Sequence, residues 1–271
     1  PVKDILSWNI LIGGYGMQNC PEEVLRSVEE MQCMGVSPNA FTFICILRAC
    51  SSLQDIEKGI GTHAEIARKG LLDDIHVLGN ALIDMYVKCG SFAKAQEVFD
   101  NLLVRDIRSW TALIAGYGKH DFAEEVLCCT SQMQLEGIFP DAVTYVWSLK
   151  ACLNMGALHE GIRIHTEIAR MGWLEWDVVI GSTLVEMYAQ CYSLIRAQEV
   201  FDMLVIRDVV SWNALITAYC EYGYGEAALN CYDQMRCDGV TPDAITFICS
   251  LKACSIIGDI EKGREIYGEI F

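Results

Sequence analysis

Two segments place a histidine and a glutamate at the spacing of a zinc-dependent deaminase: His63-Ala64-Glu65 and His165-Thr166-Glu167. In such enzymes a histidine and two cysteines of a P-C-x-x-C segment hold the metal, and the glutamate moves the proton. None of the fourteen cysteines forms a C-x-x-C pair, and the two histidine segments lie 102 residues apart. A unique active site does not recur at a fixed interval, so both histidines read as packing residues. Serines, histidines and aspartates are scattered with no nucleophile elbow among them. The nearest approach to a phosphate cradle, Gly13-Gly14-Tyr15-Gly16, falls inside an expected helix. The expectation is a segment that is not an enzyme, with no catalytic residues, no metal and no cofactor. The cysteines read as buried thiols, acting as small apolar residues in a reducing compartment.

Composition narrows the classes further. Apolar residues make up 52% of the 271, which excludes intrinsic disorder. The longest apolar stretch, Ala40–Leu47, is far shorter than the roughly 20 residues of a membrane helix, and no signal peptide is visible. The chain starts at Pro1, so a fragment or a processed product is expected. Its 20 Lys and Arg against 36 Asp and Glu leave a net charge of −16. That balance argues against binding phosphates by charge alone and suits basic partners.

The elements that position these residues emerge from an internal repeat. Ser7-Trp8 returns as Ser109-Trp110 and Ser211-Trp212, and Ala49-Cys50 as Ala151-Cys152 and Ala253-Cys254, each at an interval of 102. Ile56-Glu57-Lys58-Gly59 returns as Leu158-His159-Glu160-Gly161 and Ile260-Glu261-Lys262-Gly263, and Ala95–Asp100 returns unchanged at Ala197–Asp202. The unit divides into modules of 35, 36 and 31 residues. They run 5–39, 40–75, 76–106, 107–141, 142–177, 178–208 and 209–243, with 244–271 cut short. Residues 1–4 match the tail of a preceding module, so truncation at both ends is expected. Each module reads as a helical hairpin. Trp8, Leu11, Ile12 and Tyr15 share one helix face, and Pro21, Glu22 and Glu23 open a second helix whose stripe is Val24, Leu25, Val28 and Met31. Gly35 and Pro38 end it. A lone hairpin cannot bury both faces, and stacked neighbours can. The fold class expected is all-α: a right-handed α-solenoid superhelix of about eight hairpins and sixteen helices.

The stretches "SWNALITAYCEYGYGEAALNCYDQMRCDGVTPD" and "GNALIDMYVKCGSFAKAQEVFDNLLVRD" resemble the pentatricopeptide repeat (PPR) family, as does "LKACLNMGALHEGIRIHTEIARMGWLEWD". The alternation of lengths resembles its plant PLS subclass, with modules in P-L-S order. Tetratricopeptide repeats share the hairpin but lack the Met85-Tyr86…Cys89-Gly90 and Val98-Phe99-Asp100 signatures. The resemblance implies binding of single-stranded RNA, one base per repeat. Its reading residues are the fifth and last of a module: Asn9 with Asn39, Asn80 with Asp106, Thr111 with Asp141, Ser182 with Asp208, and Asn213 with Asp243. By the family's code Asn with Asp favours U, Thr or Ser with Asp favours G, and Asn with Asn favours a pyrimidine. The L modules place Ile44, Val146 and Ile248 at the fifth position, where little discrimination is expected. The implied target is 5′-YNUGNGUN.

Base clamping is implied for the second residues Leu6, Val77, Val179 and Val210. Arg108 departs from the apolar pattern, and either stacks on a base or points into solvent. Phosphate contact is implied for Lys88 and Lys119, where Met17, Gln190 and Glu221 occupy the matching positions in other modules. Weak RNA affinity is therefore expected. The same Asn and Asp residues also suit ordinary helix caps, and both readings stand at this point. By resemblance, the chain belongs to a plant organellar protein that specifies sites of C-to-U editing, with RNA-editing proteins as further partners. Mitochondrion or plastid follows from the family alone. The alternatives are a protein-binding α-solenoid, or the specificity part of a full-length DYW-type cytidine deaminase.

Overall fold

The computed structural model describes residues 4–72, 76–175 and 177–270. Val2 and Lys3 of the expected tail, and the expected module-end residues 73–75, Trp176 and Phe271, lie outside the described residues. Among the described residues the chain is all-helical, with sixteen α-helices, one 3-10 turn at Trp173–Glu175 and no strand. The helices follow one another as hairpins: α1 (Ile5–Met17) with α2 (Pro21–Cys33), α3 (Ala40–Leu53) with α4 (Ile56–Arg68), and α5 (His76–Lys88) with α6 (Phe92–Asp100). Next come α7 (Ile107–Lys119) with α8 (Ala123–Leu135) and α9 (Ala142–Met155) with α10 (Leu158–Arg170). The last three are α11 (Val178–Gln190) with α12 (Leu194–Met203), α13 (Val209–Glu221) with α14 (Gly225–Cys237), and α15 (Ala244–Ile257) with α16 (Ile260–Glu269). None of them is long and apolar enough to cross a membrane.

Local chemistry sets the helix ends. The Asp4 carboxylate accepts the Ser7 amide at 2.9 Å and so caps α1. Pro21 opens α2, where its missing N–H costs nothing, and Glu22 and Glu23 face the positive end of the helix dipole. At the C-terminus of α2 the Gly35 amide donates to the Gln32 carbonyl and the Val36 amide to that of Met31. This closure needs a left-handed residue, and Gly35 supplies it at φ 79°. After α3 the same conformation falls on Gln54 at φ 55°, where the repeats 102 residues on have Gly156 and Gly258.

The chain forms two compact units, one of Pro1–His120 with Cys128–Asp141, the other of Asp121–Leu127 with Ala142–Phe271. In the first, α1 packs on α3, α3 on α5 and α5 on α7. In the second, α9 packs on α11, α11 on α13 and α13 on α15. No comparable packing joins successive second helices of the hairpins among the described residues. Within each unit the first helices are therefore the closely spaced inner layer, and the second helices the splayed outer one.

The two units repeat one another's packing. Phe99 meets the edge of Trp110 at 4.5 Å with Arg105 over its face, and Phe201 meets Trp212 at 4.5 Å with Arg207 over its face. Cys50, Cys152 and Cys254 are buried at one repeated core position. The expectation of buried thiols throughout needs correcting. Cys45, Cys191 and Cys220 are also buried, but Cys33, Cys128 and Cys237 are exposed on α2, α8 and α14, and the remaining five are half-buried. Only one face of a second helix meets the core, and these three thiols stand on the other.

Candidate nucleic-acid interface

The polar residues expected to act in pairs stand 26 or 30 positions apart in sequence, on the first helix of one hairpin and at the entrance to the next first helix. Asn213 Nδ2 donates to Asp243 Oδ1 at 2.9 Å. Asn80 Nδ2 donates to both Asp106 oxygens at 3.2 and 3.3 Å. Thr111 Oγ1 donates to Asp141 Oδ2 at 3.1 Å, and Asn9 Nδ2 to Asn39 Oδ1 at 3.3 Å. The fifth expected pair is not joined. The buried Ser182 hydroxyl donates instead to its own helix, at the Val178 carbonyl 2.8 Å away. A serine hydroxyl in a helix readily bonds the carbonyl four residues back.

Asn39, Asp106, Asp208 and Asp243 are also the N-caps of α3, α7, α13 and α15. The Thr246 amide donates to Asp243 Oδ1 at 2.9 Å, and the Thr246 hydroxyl to Asn213 Oδ1 at 2.6 Å. Thr42 does the same for Asn39 and Asn9, at 3.1 and 2.8 Å. These threonines lock both members of a pair, a role that composition and repeat did not disclose. The Asp243 carboxyl lies below its ordinary range: burial raises it, but hydrogen bonds from Thr246 and Asn213 outweigh that. It is ionised at neutral pH and can only accept.

The first helices that carry the paired residues also expose apolar side chains. Leu6, Val77, Val179 and Val210 are 64%, 54%, 58% and 47% exposed at the second position of their helices, and Arg108 is exposed there too. The same position carries Phe41, Val143 and Ile245 on α3, α9 and α15, all exposed. The sequence reading passed over these three, although the 102-residue repeat would have found them. Between α11, α13 and the start of α15 a cavity of about 190 Å³ opens, with Val210, Asn213, Asp243 and Ile245 in its wall. Glu186 and Glu221 line it as well. Burial pushes the Glu186 carboxyl up, opposed by the charge of Lys150.

Charge is divided between the layers. The first helices hold six Lys or Arg against three Asp or Glu. The second helices hold ten against nineteen. Lys119 is exposed with no ion pair among the described residues, whereas Lys88 is held by Asp84 at 2.8 Å. No group of three or more His, Cys, Asp or Glu among the described residues is arranged to hold a metal. His63 and His165 are half-buried, each with Nδ1 2.9 Å from a tyrosine hydroxyl, of Tyr86 and Tyr188. They pack, and they have no cysteine ligands.

A stack of two-helix repeats carrying joined polar pairs along its inner layer defines a helical-repeat protein, one that presents side chains from a scaffold. The chain belongs to the pentatricopeptide repeat family. Family models described as PPR repeat family match residues 3–52 and 207–255, and models described as PPR repeat match 80–107 and 108–138. Among curated relatives from Arabidopsis thaliana, the chloroplastic pentatricopeptide repeat-containing protein CRR2 is 36% identical over 271 residues, 98% of this chain and 41% of that protein. A mitochondrial pentatricopeptide repeat-containing protein is 34% identical over 263 residues, 97% of this chain and 47% of the relative. The chain thus spans less than half the length of these relatives. A crystal structure of the pentatricopeptide repeat protein PPR10 in complex with an 18-nt RNA element is similar at 16% identity and a TM-score of 0.39, over 98% of this chain and 55% of that one.

Proposed function

We propose that this chain is a sequence-specific binding segment for single-stranded RNA, reading one base per hairpin in a plant organelle. The observation that carries the reading is the joined pair Asn213–Asp243, which lines a cavity together with the apolar second residues Val210 and Ile245. Hydrogen-bond arithmetic supports the base assignments. Asn213 spends one N–H on Asp243 and keeps the other, while Asp243 takes its contacts on Oδ1 and offers Oδ2. A donor beside an acceptor matches a uracil carbonyl and its N3–H. The Thr111 hydroxyl donates to Asp141, and apart from that hydrogen the two side chains consist of acceptor oxygens. Two acceptors match the N1–H and amino group of guanine. Asn39 uses its oxygen on Asn9 and Thr42 and turns its amide nitrogen outward. Two donors match the N3 and O2 of cytosine, a pyrimidine.

The P-L-S reading of the modules assigns the target 5′-YNUGNGUN. The PLS resemblance supports the further step that the RNA lies beside a cytidine to be edited, with catalysis supplied elsewhere in the full protein or by an editing partner. The chloroplastic and mitochondrial names of the relatives support an organelle as the site of action. The test is filter binding of that RNA against a scrambled one, with wild type and Asn213→Thr. The substitution is expected to shift preference at the seventh base from U toward G. Equal binding of both RNAs refutes the assignments, and capture of a basic protein with no RNA binding favours the protein-scaffold alternative.

A further inference from the structure

Arg48, Lys150 and Lys252 occupy the ninth position of α3, α9 and α15, 102 residues apart. All three are exposed on the inner layer, and none forms an ion pair among the described residues. The Glu186 carboxyl feels the charge of Lys150 without pairing to it. Eight cations of the second helices and connecting segments are held in ion pairs among the described residues, including Arg26 by Glu23, Lys58 by Glu29, Arg163 by Glu160 and Glu167, and Arg236 by Glu269. In a chain of net charge −16, three repeated cations outside any ion pair are available to an external anion.

Their surroundings indicate which anion. Residues 2, 5 and 9 of a helix share one face, so each cation lies below an exposed apolar second residue (Phe41, Val143 or Ile245) and an isoleucine or valine at the fifth position. Arg48 lines a cavity of about 200 Å³ between α1 and α3, with Phe41, Ile44 and Met17. Lys150 stands 5.3 Å over the Trp147 ring. A cation beside exposed apolar side chains suits a nucleotide whose base is held by contact and whose phosphate is held by charge.

We infer that Arg48, Lys150 and Lys252 are phosphodiester contacts, which makes the hairpins that do not read bases the electrostatic anchors of the RNA. The inference rests on the RNA reading above. It assigns the backbone contacts to the ninth position of every third hairpin, in addition to Lys88 and Lys119.

The test is the salt dependence of RNA binding by the 271-residue chain. Removing one cation that neutralises a phosphate should lower the slope of log K against log salt by about 0.7 for a single strand. The triple variant R48Q/K150Q/K252Q is expected to lower that slope by about 2. It should weaken cognate and scrambled RNA equally, with an unchanged helical circular-dichroism spectrum. R48K/K150R/K252R should keep the slope, and so should R26Q/R68Q/R170Q, whose changes lie on second helices. An unchanged slope in the glutamine triple variant, with wild type binding RNA, overturns this inference alone. A wild-type chain that retains no RNA at low salt overturns the RNA reading and this inference with it.

Discussion

At the residue scale, one oxygen atom serves both folding and the candidate site. Asp243 Oδ1 caps α15 through the Thr246 amide and receives Asn213. The capping and reading roles therefore coexist, and two substitutions separate them. Asp243→Asn keeps a good N-cap, so stability measured by urea unfolding should change by no more than about a few tenths of a kcal/mol, while the preference for U at the seventh base relaxes. Asp243→Ala should abolish the same preference and cost about 1 kcal/mol of stability as well. If Asp243→Asn leaves base preference intact, the residue is a cap and nothing more. The half-buried histidines make a second test. Burial lowers the His63 and His165 values below the ordinary 6.5. A histidine with a depressed folded value binds fewer protons folded than unfolded. Its stabilising share is present above about pH 6.5 and is lost as pH falls from there through the folded value. Urea midpoints should drop as pH falls below about 6.5, and His63→Gln/His165→Gln should flatten that drop.

At the element scale, the hairpins are held by ends that the repeat specifies unevenly. Gln54 adopts φ 55° after α3, where Gly156 and Gly258 stand after α9 and α15. A side chain in this conformation costs about 1–2 kcal/mol, and Gln54 is exposed. Gln54→Gly should therefore raise stability by about 1 kcal/mol in thermal or urea unfolding. A fall in stability would mean that the Gln54 side chain makes an interaction worth more than its strain. The helix boundaries were legible because each depends on neighbours in sequence: an Asp or Asn cap, a proline at the first position, a glycine at C′. The Ser182 hydroxyl was not. Its choice between Asp208 and the Val178 carbonyl depends on the distance between two helices, which composition cannot supply.

At the scale of the whole molecule, the charge of −16 and the RNA reading stop conflicting once the layers are separated. The outer layer carries most of the helical acidity, and the inner layer is net basic. A helix diameter of about 10 Å lies between them, which exceeds the screening length of about 8 Å at physiological salt. Neutralising exposed outer acids should then do little. The variant E22Q/E30Q/E124Q/E125Q should bind RNA within about threefold of wild type at about 0.15 M salt. A tenfold gain would show that outer charge reaches the RNA.

The sequence by itself determined the repeat, the hairpins, the all-α class and the positions worth watching. These follow from periodicity and from caps that act over a few residues. Tertiary structure decided which of those positions meet. It joined Asn213 to Asp243 and Asn80 to Asp106 across neighbouring hairpins and left Ser182 out. It also decided part of which cations are neutralised, because Lys58–Glu29, Lys262–Asp233 and Arg236–Glu269 join neighbouring second helices. A count of charges along the chain gives −16, and only the packing shows that Arg48, Lys150 and Lys252 stand outside the ion pairs that absorb most of the other cations.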